Sequence, residues 1–385
     1  DYESHFSRFG NLLGTPNIIT AGHMCYLSRI GAALITCGSL PACDYAGDPK
    51  CIVIWACNPL WTNPDEYKGA SFWRAYQKGA KLICIDPRKS FYAAKADLWL
   101  PHRPGTDAAL AMGFFRVIIE EELYDQDFVG QYIHGWDAFV ERVMNDYPLS
   151  RVSEITWVDQ DLIREAARLY ATTKPAGIHW GVPTEQTLNC TDYTRTVVGL
   201  MAATGNLDRP GGNVLHVRPP VRNLSEFSAH RELPPEQRKK RLGGDQYPLA
   251  ARMTINTPKP VWDAILTGKP YPVRAGYLVG TNPVTTRANA KYVYKALSSL
   301  DFLAVADFFL TPTAELGHIF LPSGTWLEQN HMADNWKFHG YVLARQKVVE
   351  IGECWQDHKI FMELGKKMGQ QWWDSVEDAL EWLLE

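Results

Sequence analysis

Cys25 is a residue whose type and setting could support chemistry. It lies at a predicted junction between a loop and a helix, with Arg29 one turn further along the chain. A helix N-terminus and a guanidinium both stabilise a thiolate, which can ligate a soft transition metal or act as a nucleophile. The local sequence alone favours a buried, unreactive thiol, and no paired His and Asn context for a cysteine hydrolase accompanies it.

The other cysteines do not form a recognisable metal or redox motif. No two of the eight cysteines have the C-x-x-C spacing of zinc ribbons, thioredoxin-type sites or a local iron–sulfur cluster. A chain of this length does not need disulfide bonds for stability. Cys51, Cys57 and Cys84 lie in or beside apolar runs, so we predict that they are small buried hydrophobic residues.

Two pairs of polar residues recur with matched spacing. Asn58 and Asp86, and later Asn282 and Asp307, each follow an apolar run of strand length. Asn and Asp are 28 residues apart in the first copy and 25 in the second, and a Pro follows each Asp after 15 residues. An Asn amide can bind a purine edge or a ribose, and an Asp carboxylate can accept from a ribose hydroxyl or a guanine N–H.

The elements predicted around these residues indicate how they would meet. Each copy is predicted to run strand, Asn-Pro turn, helix, strand, Asp, short helix and strand, over residues 51–101 and 275–322. This alternation predicts an α/β fold with two related doubly wound, Rossmann-like parallel sheets, which bind ligands at the carboxyl ends of their strands. Turn chemistry could place Asn-Pro or Asp after one strand, but it does not require the same residue at the same strand end twice. The repeat therefore predicts two similar nucleotide-binding halves.

Other segments have local interpretations that leave a ligand role open. Thr106 or Asp107 is a natural N-cap for an apolar helical pattern that continues to residue 121. The Gly-rich stretch 204–213 has neither the P-loop sequence nor a G-x-G-x-x-G fingerprint and is predicted to be a loop after a helix. The Pro- and Arg-rich segment 217–260 is expected to be a solvated excursion. Amphipathic helices are predicted over residues 356–369 and 374–385.

Composition limits the classes of protein that remain. Hydrophobic residues make up 46% of the 385 residues and charged residues 21%, with a net charge of −4, which excludes a disordered or coiled-coil chain. Nucleic acid is not an expected partner, and the length suggests two domains. No apolar stretch approaches the ~18 residues that cross a bilayer. The sequence begins without Met or a signal pattern, so we interpret it as a segment of a longer chain and leave its compartment, cytoplasmic or periplasmic, open.

Several motifs, spread over nearly all of the chain, together resemble one enzyme family. They are Ile85-Asp86-Pro87-Arg88, Ala96-Asp97-Leu98-Trp99-Leu100-Pro101, Arg103-Pro104-Gly105-Thr106-Asp107, Thr204-Gly205-Asn206 with Pro210-Gly211-Gly212, Gly280-Thr281-Asn282-Pro283, and Leu321-Pro322 with Trp326-Leu327-Glu328. The chain thereby resembles the molybdopterin-guanine-dinucleotide oxidoreductases of the dimethyl-sulfoxide-reductase type. We therefore expect this segment to lack the family's amino-terminal iron–sulfur domain and its carboxy-terminal barrel-like domain.

The resemblance implies a function and a set of site residues. It implies one molybdenum or tungsten atom held by two molybdopterin guanine dinucleotides, two-electron or oxygen-atom transfer on a small-molecule substrate, and an electron-transfer subunit as partner. A 4Fe-4S cluster is expected only in the family's iron–sulfur domain. Cys25 falls where the family places its protein ligand to the metal. One dinucleotide would contact Asn58, Asp86, Arg88 and Asp107, and the other Gly280, Thr281, Asn282 and Asp307.

The resemblance also suggests domain limits and a subfamily. We expect residues 25–180 to form one dinucleotide-binding domain and residues 181–385 the other, with residues 1–24 as the discontinuous start of the second. Within the family, the stretches 8–17, 23–25, 232–243 and 269–274 are similar to acetylene hydratase, a non-redox enzyme. Tyr26 stands where formate dehydrogenases have His, and Ala56 where the family usually has Gly. A hydratase and a cofactor-free binding segment therefore remain alternatives.

Overall fold

The protein forms two compact units. The computed structural model describes residues 2–62, 68–215, 221–334 and 342–385. The central unit comprises Met24–His216, and the terminal unit comprises Asp1–His23 and Val217–Glu385. This division differs from the expected one at Met24 and, mainly, in residues 181–216. They belong with the central unit because a Gly-rich loop among them returns to its sheet edge: Ala176 N donates to Asn206 Oδ1 at 2.9 Å, and Ile178 N to Asn213 Oδ1 at 2.8 Å.

Helix α1 (Tyr2–Leu13) opens the chain in the terminal unit. The helices of the central unit are α2 (Leu27–Cys37), α3 (Pro59–Thr62), α4 (Lys68–Gln77), α5 (Phe91–Lys95), α6 (Asp107–Glu120), α7 (Gln126–Tyr132), α8 (Trp136–Asp146), α9 (Leu149–Thr156), α10 (Gln160–Thr172) and α11 (Cys190–Ala203). Its strands are β1 (Ala42–Cys43), β2 (Cys51–Trp55), β3 (Lys81–Ile85), β4 (Leu98–Leu100), β5 (Ala176–Trp180) and β6 (Asn213–Val214). The start of the predicted helix 65–79 lies outside the described residues.

The main sheet of the central unit is parallel, with the strand order β4-β3-β2-β5. Every residue of β2 is buried, as expected for a central strand covered on both faces. The register places Trp55, the last residue of β2, opposite Ile85 and Trp180, so the three strands end at the same edge. The predicted parallel, doubly wound arrangement is confirmed in this unit.

The terminal unit contains the remaining elements. Its further helices are α12 (Leu224–Phe227), α13 (Pro235–Arg238), α14 (Pro248–Arg252), α15 (Pro258–Thr267), α16 (Pro283–Thr286), α17 (Ala290–Ser298), α18 (Asp357–Lys367) and α19 (Val376–Leu384). Its strands are β7 (Ala275–Val279), β8 (Phe302–Asp307), β9 (Ile319–Pro322), β10 (His331–Asp334) and β11 (Val342–Arg345). Residues 217–220 of the Pro- and Arg-rich segment lie outside the described residues.

A second parallel sheet with the order β7-β8-β9 forms the core of the terminal unit. Its register pairs Val279 with Ala306 and Asp307 with Pro322. Phe9 of α1 and Phe361 of α18 pack with Val279 and Ala306, so both helices cover this sheet. The predicted second copy of the strand–helix–strand pattern is therefore present. No helix in the described part of the chain combines the length and apolar character needed to cross a membrane.

Candidate functional site

The first candidate half-site, which comprises the predicted residues Asn58 and Asp86, lies at the carboxyl edge of the central sheet. Ala56 N donates to Ile85 O at 2.9 Å, which fixes the exit of β2 beside the end of β3. Asn58 follows the first of these strands and Asp86 the second, so the structure places both predicted residues at one sheet edge. This is the position at which parallel α/β sheets bind ligands.

The Asn-Pro turn after β2 has a defined hydrogen-bond pattern. Asn58 O accepts from Trp61 N and Thr62 N, each at 2.9 Å, and from Thr62 Oγ1 at 3.0 Å. Pro59 begins α3, where a missing N–H is tolerated. Asn58 Oδ1 is buried and has no hydrogen-bond partner among the described residues. A buried acceptor normally has a partner, so this oxygen is suited to a donor on a ligand.

The second half-site, in the terminal unit, repeats this turn. Asn282 O accepts from Thr285 N at 3.0 Å, from Thr286 N at 2.9 Å and from Thr286 Oγ1 at 3.0 Å. Gly280 N donates to Ala306 O at 2.9 Å, as Ala56 does in the first copy. A Thr four residues after each Asn is a sequence signal that our sequence analysis missed. The two half-sites thus share the turn and its hydrogen bonds.

One backbone position in the turn requires the left-handed conformation in both copies. The φ angle is 49° at Ala56 and 54° at Gly280. A Cβ atom at Gly280 would meet nothing within 4 Å, so the surrounding space is open and glycine serves the backbone angle. At the alanine the same angle costs roughly 1 kcal/mol. The sequence departure at this position therefore leaves the turn unchanged and adds strain to it.

The two predicted aspartates have similar local settings. Asp86 Oδ1 accepts from Arg88 N at 2.8 Å, and Trp99 Nε1 donates to the carbonyl of the same aspartate at 2.8 Å. Asp307 Oδ1 accepts from Phe308 N at 2.7 Å, and Ser323 N donates to its carbonyl at 3.1 Å. Both aspartates are half-buried at the ends of their strands, and the Arg88 side chain is exposed. Each carboxylate is therefore oriented by its own turn.

Asp357, at the start of α18, is a further acidic residue near the second half-site. Its Oδ1 accepts from Ser323 Oγ at 2.8 Å. Burial raises the pKa of Asp357, the serine hydrogen bond lowers it, and the negative charge of Asp307 raises it further. Asp357 could not be selected from the sequence alone, because 50 residues separate it from Asp307, whose charge acts on it.

Asp107 faces the interior of the central unit. Trp55 Nε1 donates to Asp107 Oδ1 at 2.9 Å, and His102 Nε2 lies 2.9 Å from the same oxygen. Burial raises the pKa of this carboxyl, but the hydrogen bonds and charge of His102 and the indole N–H outweigh burial and leave the pKa below its ordinary value. Thr106 is the N-cap of α6 and Asp107 its first residue. The contacts of Asp107 are those of a structural carboxylate.

Cys25 lies at the predicted loop-to-helix junction. It follows the 3-10 helix Ala21–Met24, precedes α2 and is half-buried. Cys25 therefore lies two residues before α2, whose N-terminus carries the positive end of the helix dipole. Arg29 Nη1 donates to Trp180 O at 2.8 Å, and its Nη2 lies 3.0 Å from Glu185 Oε1. The guanidinium that we expected to stabilise the thiolate thus has a carboxylate partner of its own.

The cysteines of the central sheet are unreactive by environment. Cys51 and Cys84 are buried in β2 and β3, and burial raises the pKa of each thiol to about 12. Burial also raises the pKa of Cys57, which is half-buried and donates to His179 O at 3.2 Å. The interpretation of these residues as small hydrophobic side chains is confirmed for the two strand cysteines.

Three sequence stretches that are similar to acetylene hydratase meet in the terminal unit. Asn17 Nδ2 donates to Tyr271 OH at 2.7 Å, Leu242 N donates to Asn17 Oδ1 at 3.0 Å, and the tyrosine hydroxyl donates to Lys240 O at 2.6 Å. A cavity of about 430 Å³ lies beside these contacts and includes Gln237 in its lining. These stretches therefore form one structural feature of the terminal unit.

Comparison with known proteins identifies relatives of this chain. Residues 2–367 match the family described as molybdopterin oxidoreductase. The chain is 34% identical over 403 residues to acetylene hydratase of Syntrophotalea acetylenica, covering 97% of this chain and 54% of the relative. It is 30% identical over 322 residues to the F420-dependent formate dehydrogenase subunit alpha of Methanocaldococcus jannaschii, covering 83% and 47%. The solved structure of acetylene hydratase from Pelobacter acetylenicus superposes with a TM-score of 0.89 at 33% identity, covering 99% of this chain and 55% of that one. The chain thus spans about half the length of these relatives.

Proposed function

The chain belongs to the molybdopterin oxidoreductase family, and we propose that it is the dinucleotide-binding core of a molybdenum or tungsten enzyme. Each strand-end half-site would bind the guanosine end of one molybdopterin guanine dinucleotide. The observation that carries this proposal is the pair of matched turns, in which Asn58 and Asn282 occupy the same backbone position at the ends of two separate sheets. Two copies of a ligand-binding edge suit a cofactor with two similar nucleotide ends.

The residues of the first half-site suit such a ligand. The unpartnered Asn58 Oδ1 can accept from a guanine N–H or a ribose hydroxyl, and the Asp86 carboxylate can do the same. The exposed guanidinium of Arg88 can bind phosphate. We leave Asp107 out of this ligand set, because its carboxylate binds Trp55 and His102 instead. Its proposed role is to hold the end of β2.

The second half-site suits the same class of ligand. The open space around Gly280 lets a phosphate approach the backbone closely. Thr281 and Asn282 follow on the same turn, and Asp307 ends the neighbouring strand. Thr313 Oγ1 donates to Asn282 Oδ1 at 2.6 Å, which orients the amide so that its N–H groups are the part available to a ligand. We propose that these four residues bind the second dinucleotide.

Cys25 is the proposed protein ligand to the metal. A thiolate is a soft donor of the kind that molybdenum and tungsten accept, and Cys25 lies just before the N-terminus of α2. When bound, the pterin-held metal supplies the redox or Lewis-acid chemistry. The residues of this chain would bind and orient that group, and Cys25 would supply one sulfur ligand to the metal. We further propose that the reaction is two-electron or oxygen-atom transfer on a small-molecule substrate. The electrons would pass through the 4Fe-4S cluster of the family's iron–sulfur domain to an electron-transfer subunit.

A second candidate is a non-redox hydratase. The 34% identity to acetylene hydratase over 97% of this chain and the TM-score of 0.89 favour it. In this case the metal would act as a Lewis acid on the substrate and no electrons would be exchanged. The half-sites and Cys25 would keep the same roles, since they serve the cofactor rather than the reaction.

Cofactor content tests the proposed half-sites. The protein is produced in a host that makes the pterin dinucleotide, and guanine nucleotide and metal are quantified after denaturation. We expect Asp86→Asn and Asp307→Asn each to lower the guanine nucleotide content by up to half. Asp127→Asn, at an exposed position of α7, is the matched control and should change nothing. Full content in both half-site variants would refute the proposal of two dinucleotide sites.

Substrate assays distinguish the two candidate reactions. Hydration of acetylene without an electron acceptor identifies the hydratase, whereas dye-linked turnover of formate, arsenate or polysulfide identifies the oxidoreductase. Cys25→Ser should alter the X-ray absorption edge of the bound metal and lower turnover in either case. An unchanged edge in this variant would reject Cys25 as the ligand.

A further inference from the structure

The backbone on both sides of Cys25 is held by one segment that leaves β5. This anchor segment comprises residues 180–186 and includes the 3-10 helix Val182–Gln186. Gln186 Nε2 donates to Met24 O at 3.1 Å, on the residue before the cysteine. Arg29 Nη1 donates to Trp180 O at 2.8 Å, one helical turn after the cysteine. The loop that carries Cys25 is therefore attached to the anchor segment on both sides of the cysteine. We call these two attachments, Gln186 to Met24 and Arg29 to Trp180, the bracket.

The Arg29 side of this bracket is a buried ion pair. The side chains of Arg29 and Glu185 are 13% and 0% exposed, and their charged groups are 3.0 Å apart. The guanidinium also lies over the Trp180 ring, 5.7 Å from its centroid. Burial raises the pKa of Glu185 to about 7 although the Arg29 charge lowers it. Above that pH, separating the pair would leave an uncompensated buried charge, which is strongly unfavourable. The start of α2 is therefore firmly attached to the anchor segment.

The anchor segment is itself fixed to the carboxyl edge of the central sheet. Gly181 N donates to Trp55 O at 3.0 Å. A Cβ atom at Gly181 would lie 2.1 Å from Ala56 O, so only glycine allows this approach. Within the segment, Thr184 Oγ1 donates to Gly181 O at 2.8 Å. The edge that presents Asn58 thus also carries the segment that holds the cysteine loop.

We propose that Gln186 is a positioning residue for Cys25. Its side-chain amide holds the carbonyl of Met24, while the Arg29–Glu185 pair holds the following helix, so the thiol keeps a fixed place relative to the carboxyl edge of the central sheet. The importance of this fixed place rests on the proposed role of Cys25 as metal ligand. The bracket itself is a property of the protein without metal, so it can be tested separately.

The test is the rate of alkylation of Cys25 by iodoacetamide in the metal-free protein, measured by peptide mass spectrometry. Gln186→Met keeps the length of the side chain and removes its donor. Because this glutamine is exposed and contributes one hydrogen bond, we expect the protein to fold and the Cys25 rate to rise about five-fold through easier loop opening. Cys37 and Cys354, both half-buried, are internal references and should not change.

Gln77→Met is the matched control, since this glutamine is exposed at the end of α4. A Cys25 rate within two-fold of the original in Gln186→Met would overturn the proposal. A parallel rise at all three cysteines would also overturn it, because that result indicates general loosening rather than local positioning. A selective rise at Cys25, absent from the control, supports it.

A second readout uses the metal-loaded protein. Gln186→Met should retain the metal but change its X-ray absorption edge, since the Cys25 loop would be held less firmly; an unchanged edge would count against positioning of the metal ligand. If Cys25→Ser leaves the metal spectrum unchanged while the alkylation result holds, the ligand assignment fails and the bracket stands. The two hypotheses are therefore separable.

Discussion

Acidification should destabilise the terminal unit through a stack of three histidine rings. The ring centroids of His5 and His358 are 4.2 Å apart, and those of His358 and His331 are 5.1 Å apart. Both nitrogens of His5 and of His358 are buried without a hydrogen-bond partner among the described residues. The stack joins α1 to α18, the two helices that cover the sheet of the second half-site.

The direction of the effect follows from the pKa values. Burial places the pKa of His5 and His358 well below the ordinary value, and it lowers that of His331 to about 3. The unfolded chain therefore takes up protons near pH 6.5 and the folded chain does not, so stability falls as the pH drops below that value. Each of the two fully buried rings should cost about 2 kcal/mol of unfolding free energy at pH 5 relative to neutral pH.

The assay is urea unfolding at pH 7.5 and 5.0, followed by tryptophan fluorescence, in the original protein and in His358→Phe. Phenylalanine keeps a flat ring in the stack and removes two buried, unpartnered nitrogens, so we expect a change of at most about 1 kcal/mol at pH 7.5. Between pH 7.5 and pH 5.0, the unfolding free energy of the variant should rise by about 2 kcal/mol relative to that of the original protein. His134→Gln, at an exposed histidine of the central unit, is the matched control.

Two results would contradict this reasoning. If His358→Phe and the original protein lose the same free energy between the two pH values, the histidine is not excluded from protonation in the folded state. If the variant is strongly destabilised at pH 7.5, the ring nitrogens have favourable partners that the stack does not show. The control should follow the original protein at both pH values.

Three further outcomes test the half-sites and their supports. Ala56→Gly should raise the unfolding free energy by roughly 0.5–1 kcal/mol, and Gly280→Ala should lower it by a similar amount, because both positions have a left-handed backbone. If urea unfolding shows that both substitutions stabilise the protein, or that both destabilise it, this reasoning is wrong. Asp107→Asn should destabilise the central unit by about 1–3 kcal/mol at pH 7, with less difference below pH 4, because the lowered pKa of the carboxyl makes its charge stabilising only above that range; a pH-independent difference would contradict it. Cys84 should resist iodoacetamide at pH 8 in the folded protein and react only on unfolding, since burial raises its pKa to about 12; fast labelling of folded protein would exclude that environment.

The strand ends were predictable from sequence because the signals there are local. Residues 81–85 are apolar apart from the first, and Asp86 follows them directly, so both the strand and its end could be assigned. The repeat then supplied evidence that a single copy cannot give, because the residues of β7 and β8 show the same pattern with matched spacing and so indicated the same fold a second time. The location of Asn58 and Asn282 at two sheet edges follows from these two signals together.

Contacts between distant segments could not be read in this way. The sequence predicts a helix N-terminus at Thr106 or Asp107. Trp55, the partner of Asp107, lies 52 residues earlier, so the direction of the carboxylate depends on tertiary packing. The same holds for Arg29, whose carboxylate partner Glu185 is far along the chain. The two compact units also divide the chain at a point other than the expected limit at residue 180, because Asn206 and Asn213 attach the loop that contains them to the edge of β5.

In each proposed half-site, the Asn carbonyl forms the turn and the Asn side-chain amide is available for another role. In both copies the Asn carbonyl accepts from two backbone N–H groups and a Thr hydroxyl, so the short helix and the exit of the strand have the same geometry. The Asn side chains differ, since Asn58 Oδ1 is buried without a partner and Asn282 Oδ1 is bound by Thr313. Because the turn is satisfied by backbone and Thr groups alone, the amides are not needed to build it. An amide that is not required by its own turn, at the edge where parallel sheets bind ligands, is most simply explained by recognition. The difference between the amides further implies that the two proposed half-sites are unequal: Asn58 would offer an acceptor in the central unit, and Asn282 a donor in the terminal unit.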